Sequence, residues 1–406
     1  MHPIASLCAL IVLIAACAAP PPDLLPTSTP RPTSAARTLA EAPQADAPAL
    51  WIGDRVGVAA WIGADSMGVH IDARTFALDS DTMQSPVVLP LPPRRPTGLT
   101  LHSAPRRGND TRVRALWLDA DDSDTTQLYV AVIAGVGDGR LRVERGPIQV
   151  SDRAVTGYAA AVDTAGTLWA AWRSGNTLEP TLYLSAIDGD GRAQPPRAFA
   201  APIRDMTLTM DIDGTLFAFW SDGSRLYRMQ IADGTPLARA DLTNVPALGA
   251  ADRVLDMRAG RDATHQYVFW NIERFSDGVV STETWWTTGR RADEAWTTPT
   301  RFTAAGRDAT AFVVRRIALA DSIFSTDVTF AADSDAGIII GSLRAGALTT
   351  AQALDARPTV IGALQAARGV GESADRVWIA WADAHDPAAA RLTLMHADGT
   401  LTTPTS

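Results

Sequence analysis

The sequence predicts an all-β protein: a single β-propeller of seven four-stranded antiparallel blades, carried behind an export signal and a tether. Three observations predict it. A short strand ending in tryptophan recurs along the chain, each copy is apolar on both of its alternating faces, and Asp-Gly turns punctuate the copies with no segment of amphipathic helical period.

The first element is the signal. Ile4 to Ala16 is apolar apart from Ser6 and Cys8, too short for a comfortable bilayer span and of the length of a signal-peptide core. The following Ile14-Ala15-Ala16-Cys17 resembles the lipobox of bacterial lipoproteins. That resemblance implies removal of residues 1–16 and acylation of Cys17, so that lipid chains rather than a helix hold the protein to a membrane. Met1-His2-Pro3 lacks the positive charge that usually opens such a signal. Cys8 and Cys17 are the only cysteines, which leaves neither a disulfide nor a cysteine-held metal in the mature chain.

Residues 17–48 follow as a lipidated cysteine and a disordered tether rich in Pro, Ser, Thr and Ala. Polyproline-like extension would carry it roughly 95 Å, a flexible coil about 30 Å. The folded body is expected over 49–406.

Within that body the repeat is direct. Val162-Asp163-Thr164-Ala165-Gly166-Thr167-Leu168-Trp169-Ala170-Ala171-Trp172 aligns with Met210-Asp211-Ile212-Asp213-Gly214-Thr215-Leu216-Phe217-Ala218-Phe219-Trp220. Weaker copies end at Trp61, Trp117, Trp270 and Trp381, and a degenerate one over Asp333–Ile340 puts Ser342 in the tryptophan slot. The slots lie roughly 40–70 residues apart, near the 40–50 of a propeller blade. Because Leu168, Ala170 and Trp172 point one way and Trp169 and Ala171 the other, both faces need cover, which a blade wedged between two others receives. Turns at Asp138-Gly139, Asp188-Gly189, Asp233-Gly234 and Asp398-Gly399 suit hairpins and hence a meander. A six-bladed ring that absorbs the degenerate unit, or two stacked β domains, are the alternatives.

The Asp-x-x-Gly-Thr-Leu-Trp-x-x-Trp rhythm at Asp163–Trp172, in an exported chain, resembles the sialidase-like, BNR-type superfamily of bacterial β-propellers over about residues 50–406. The family's Asp box differs by one spacer residue, and its Arg-Ile-Pro motif is absent. The resemblance therefore implies fold and an extracytoplasmic setting, and carries no catalytic residue.

Composition excludes several chemistries. All 36 positive charges are arginine, so Schiff-base, pyridoxal-lysine and P-loop lysine chemistry are out. A net charge of −9 argues against nucleic acid as a partner. There is no Gly-x-Ser-x-Gly elbow, no dinucleotide loop and no His-Glu-x-x-His spacing. The acidic run Asp119, Asp121, Asp122, Asp124 alternates as half a calcium loop would, but Asp124 and Val130 stand where its glycine and bidentate glutamate belong. Neither a metal nor another cofactor is expected.

The local anomaly is the fifth unit, where Arg274, Trp285, Trp286, Arg290, Arg291 and Trp296 crowd into one insertion. Tryptophan with arginine can stack on a sugar and hold an anion, so these six are the candidate ligand-binding residues, against the reading that Trp285 simply packs on the next blade. The function expected is a membrane-anchored, extracytoplasmic propeller lipoprotein that binds a protein or glycan of the cell envelope without catalysis. The alternative is a divergent glycan-active hydrolase related to sialidases.

Overall fold

The computed structural model describes residues 37–41 and 48–402 except positions 67, 80–81, 92, 109, 176–179, 200–201, 212, 233–234, 247, 249–251, 277, 291–294, 303–313, 321–326, 335–336, 355–363, 369–375, 383–388 and 396–400. Residues 1–16 and Cys17 lie outside them.

The described residues form a seven-bladed β-propeller of antiparallel sheets, as the sequence predicts. From the centre outward, blade 1 comprises Ala49–Ile52, Val56–Asp65, Gly68–Ala77 and Val87–Leu89; blade 2 comprises Pro96–Arg107, Asp110–Ala120, Thr126–Ala134 and Arg142–Gln149. Blade 3 is Gly157–Val162, Leu168–Ser174, Thr181–Ile187 and Arg197–Phe199, and blade 4 is Asp205–Met210, Leu216–Ser221, Arg225–Ala232 and Thr235–Asn244. Blade 5 is Arg253–Arg261, His265–Ser276, Val279–Arg290 and Thr300–Arg301; blade 6 is Val314–Ala320, Val328–Ser334, Gly337–Arg344 and Ala347–Leu354. Blade 7 has Leu364–Arg368, Val377–Ala382 and Ala389–Met395.

The outer edge of blade 7 is shared. Arg37–Glu41 pairs with the stretch Ala389–Leu392, and Leu401–Thr402 pairs with Leu394 and Met395. Five residues of the segment expected to be tether are therefore a strand, and the two ends of the described chain close the ring on one sheet.

The packing makes the ring closed. Each apolar cluster joins neighbouring blades, and one of them sets Trp61 and Phe76 of blade 1 against Trp378 and Leu392 of blade 7. Trp61, Trp117, Trp172, Trp220, Trp270 and Trp381 are all buried on second strands, at exposures of 0–3%. Burying a side chain of that size contributes a few kcal/mol, of order 3 or more, so these six anchor the wheel.

The degenerate unit is a real blade, but its register corrects the sequence reading. Ser342 sits on a third strand, and the turn between Ser334 and Gly337 joins the second strand to the third, whereas Asp163–Gly166 joins the first to the second. Aspartate and glycine mark any tight hairpin, so they identify a turn without identifying which one.

The aspartates work largely as turn residues. Asp163 Oδ1 accepts the amide of Thr167 at 2.8 Å, Asp188 Oδ1 those of Asp190 and Arg192, and Asp262 Oδ1 those of Thr264 and His265. In the acidic loop of blade 2, Asp119 accepts the amides of Arg94 and Arg95, Asp121 accepts those of Ser123 and Thr125, and Asp122 and Asp124 pair with Arg94 and Arg95. Those carboxylates are spent on turns and arginines.

Candidate functional site

The inner strands of all seven blades line a central channel of about 850 Å3. Its wall is mostly small or aliphatic, with Ala159, Ala160, Ala259, Ala318, Ala320, Ala366 and Ala367 among the lining residues. A wall of alanines leaves a channel open, because every inner strand points one side chain of each pair at the axis.

Charge collects where the inner strands begin. Arg173 ends the second strand of blade 3, Arg204 and Asp205 open the inner strand of blade 4, and Asp256 and Arg258 lie near the start of that of blade 5. Two β-bulges shape this mouth. In blade 5 the ladder slips between Leu255 and Arg258, with Asp256 at φ 51°, a left-handed conformation that aspartate tolerates better than most residues. The slip frees the Met257 amide, which donates to Asp205 Oδ2 across the blade boundary at 2.7 Å. In blade 2 the slip between Thr97 and Thr100 frees the Gly98 carbonyl, which accepts the Tyr158 hydroxyl of blade 3.

The guanidinium groups here are unspent on carboxylates. Arg173 donates to the Thr156 carbonyl at 3.1 Å and Arg258 to the Met257 carbonyl at 3.0 Å, while the Arg204 guanidinium has no hydrogen-bond or ionic partner among the described residues. Desolvation at the channel wall pushes the Asp205 carboxyl above its ordinary range, with Arg173 pulling the other way. Three cations face two carboxylates, one of which resists ionising. The mouth thus favours an anion.

Deeper in, His102 Nε2 and Thr100 Oγ1 lie 3.0 Å apart, and Thr100 Oγ1 is 2.9 Å from the Tyr158 hydroxyl. Burial, helped by the Arg114 guanidinium, holds His102 down to about 3. It is a neutral imidazole at ordinary pH. The Tyr158 hydroxyl also lies 3.1 Å from the Leu116 carbonyl, so the phenol stitches blade 3 to blade 2.

The sequence-predicted candidates lie elsewhere, in blade 5, and form no single cluster. Trp286 stacks on Phe269, with centroids 5.8 Å apart and planes 13° apart, on the side facing blade 6. Trp285 packs toward blade 4 with Trp296, which meets Phe219 edge-on at 5.8 Å over Gly289. Arg274 and Trp285 are brought together through Glu283, at 3.0 and 3.2 Å, and Arg274 also pairs with Asp252 at 3.0 Å. Arg290 is exposed at the far end of the third strand, opposite His265, and Arg291 lies outside the described residues.

Sequence reasoning missed Arg173, Arg204, Asp205, Asp256 and Arg258. The available signal was the pair of segments Arg204-Asp205-Met206 and Asp256-Met257-Arg258, where charge opens an otherwise apolar inner strand.

No protein-family model and no curated protein matches the sequence. Among solved structures the chain is similar to the polysaccharide lyase Uly1, with a TM-score of 0.55, 10% identity, and coverage of 88% of this chain and 91% of that one. It is similar to a PL25 ulvan lyase bound to -[GlcA(1-4)Rha3S]-, with a TM-score of 0.53, 9% identity and coverage of 90% and 94%. It is also similar to a puromycin hydrolase, with a TM-score of 0.51 and 16% identity, over 90% of this chain and 54% of that one. At such identities the likeness speaks for the propeller fold alone.

Proposed function

We propose that the protein is an exported, lipid-anchored propeller that binds an acidic glycan of the cell envelope at the arginine-lined mouth of its channel, without chemistry on it. The observation that carries this reading is the meeting of Arg173, Arg204 and Arg258, none of them paired with a carboxylate at hydrogen-bond distance, around the raised carboxyl of Asp205. Planar guanidinium forks suit carboxylate and sulfate groups, and the alanine-lined wall below leaves room for sugar rings. The lipobox-like Ile14–Cys17 supports export and anchoring, and the Asp163 and Asp211 turns support a distant kinship with sialidase-like propellers.

A glycan-active enzyme is the second reading, favoured by His102 beside Thr100 and Tyr158 on the channel wall and by the two polysaccharide lyases among the similar structures. Two facts weigh against it. A base held at about 3 is poorly matched to neutral pH, and the Tyr158 proton is engaged by backbone carbonyls.

Calorimetric titration with a hyaluronan hexasaccharide and with neutral cellohexaose tests the proposal. The acidic sugar should bind and the neutral one should not, and R173A or R258A should weaken binding by roughly fivefold or more. Equal binding of both sugars contradicts the anion reading, and shortening of the hexasaccharide contradicts the non-catalytic one.

A further inference from the structure

A second cavity, of about 750 Å3, opens on the opposite face, between blades 1 and 2, where the inner strands end. It is bounded by the ends Trp51–Gly53 and Ser103–Arg106, the turn Val136–Gly139, and Thr75 and Gln84 of blade 1. Trp51 lines both this groove and the channel. Its indole N–H donates to Ser103 Oγ at 2.9 Å, which fixes the ring. Gly53 lets the ring lie down, because a Cβ there would stand 2.5 Å from Trp51 Cη2.

Three further features point to a ligand. Thr75 lines the groove, and its hydroxyl has no protein hydrogen-bond partner among the described residues, which leaves it available to a polar group of a ligand. Arg55 and Arg106, both exposed on the rim, have no ionic or hydrogen-bond partner for their guanidinium groups among the described residues, whereas the other charged lining residues are engaged: Asp54 has a partner, Asp138 accepts the Arg140 amide, and Arg112 pairs with Glu144. Gly137, exposed in the bounding turn, leaves that side of the groove open, since a Cβ on it would meet only Thr111 Oγ1, at 3.9 Å.

We infer that this groove is a second saccharide site, distinct from the channel mouth, and that it takes an acidic sugar residue. Trp51 supplies the stacking face, Thr75 and Gln84 meet hydroxyls, and Arg55 with Arg106 hold the carboxylate or sulfate. The fixed indole of Trp51 favours a sugar over an acidic stretch such as polyglutamate, which has no ring face to stack on tryptophan.

The test is calorimetry of the whole protein with a hyaluronan hexasaccharide, run in parallel with polyglutamate. Wild type should bind two hexasaccharides. The double variant R55A/R106A, altered only at exposed side chains, and G137F, which puts a ring into the groove from its bounding turn, should each lose one equivalent, or weaken that site roughly tenfold or more, and keep the other. R173A should show the converse, so failure at the channel mouth and failure at the groove are separable. A stoichiometry unaffected by R55A/R106A and G137F overturns the inference. So does polyglutamate competing for the site, or the absence of any binding lost in those variants.

Discussion

Trp172 lies directly opposite Tyr183 across the second and third strands of blade 3, with ring centroids 5.9 Å apart and planes 16° apart. The relation recurs as Trp117 on Tyr129 at 6.0 Å and Trp220 on Tyr227 at 5.4 Å, and in blade 5 Trp285 takes the tyrosine's place opposite Trp270. In blades 2 to 5 a tryptophan on the second strand packs with an aromatic opposite it, and offset-stacked rings gain beyond the area they bury, whereas Trp61 and Trp381 face Asp72 and Arg391. It follows that W172A should destabilise the protein by about 3–5 kcal/mol. Y183F should cost under about 1 kcal/mol, because it removes only the hydroxyl that accepts from Arg153. Denaturant unfolding measures both.

Arg114 is fully buried and joins two blades by donating to the carbonyls of Ser103 in blade 2 and of Gly166, Ile187 and Asp188 in blade 3. Burial pulls its guanidinium down to about 10, still charged at neutral pH. Its fixed planar fork reaches four carbonyls spread over two blades, a spread that the compact three-donor ammonium of a lysine cannot match. R114A and R114K should both lower stability, by about 3 kcal/mol or more for alanine, with lysine restoring less than half. Thermal melts of the two variants check this.

His102 gives the protein an acid-sensitive limb. Its folded value of about 3 lies below the ordinary 6.5, so between those values the unfolded chain takes up a proton that the folded chain refuses. Stability contributed by this group is complete above about pH 6.5 and declines as the pH falls toward 3. H102Q, which cannot titrate, should flatten that limb in unfolding curves collected across this range.

Asp205 has the opposite sign for a carboxylate. With its folded value raised above 3.8, the folded state holds a proton that the unfolded chain has lost, so the group's contribution to stability falls as pH rises through that window. Protonation also removes a negative charge from the mouth. Binding of an acidic hexasaccharide should therefore tighten as pH falls, and D205N, whose amide oxygen can still accept from Met257, should bind more tightly at pH 7 with a flatter pH profile.

The wheel was legible because its anchors are periodic. Tryptophan recurs at the end of a strand apolar on both faces, and that pattern has no stable home except between two other sheets. Blade 6 lacks the tryptophan, so its copy is read from the acidic segment 333–337 ending in Gly337 and falls one strand late. The blade 5 insertion drew attention as a surface, but strands twelve residues long have two faces to bury, and Trp285 and Trp286 fill one each. The mouth was hidden for a different reason. Asp205 and Asp256 are about fifty residues apart and meet only because the inner strands of consecutive blades share an axis, and the bulge at Asp256 has no glycine to announce it.

The most direct test is a crystal structure of the protein with a hyaluronan hexasaccharide at saturating concentration. The account predicts a sugar carboxylate within hydrogen-bonding reach of Arg173, Arg204 and Arg258 at the channel mouth. A sugar bound against Trp285 and Trp296 on blade 5, with the mouth empty, would contradict it.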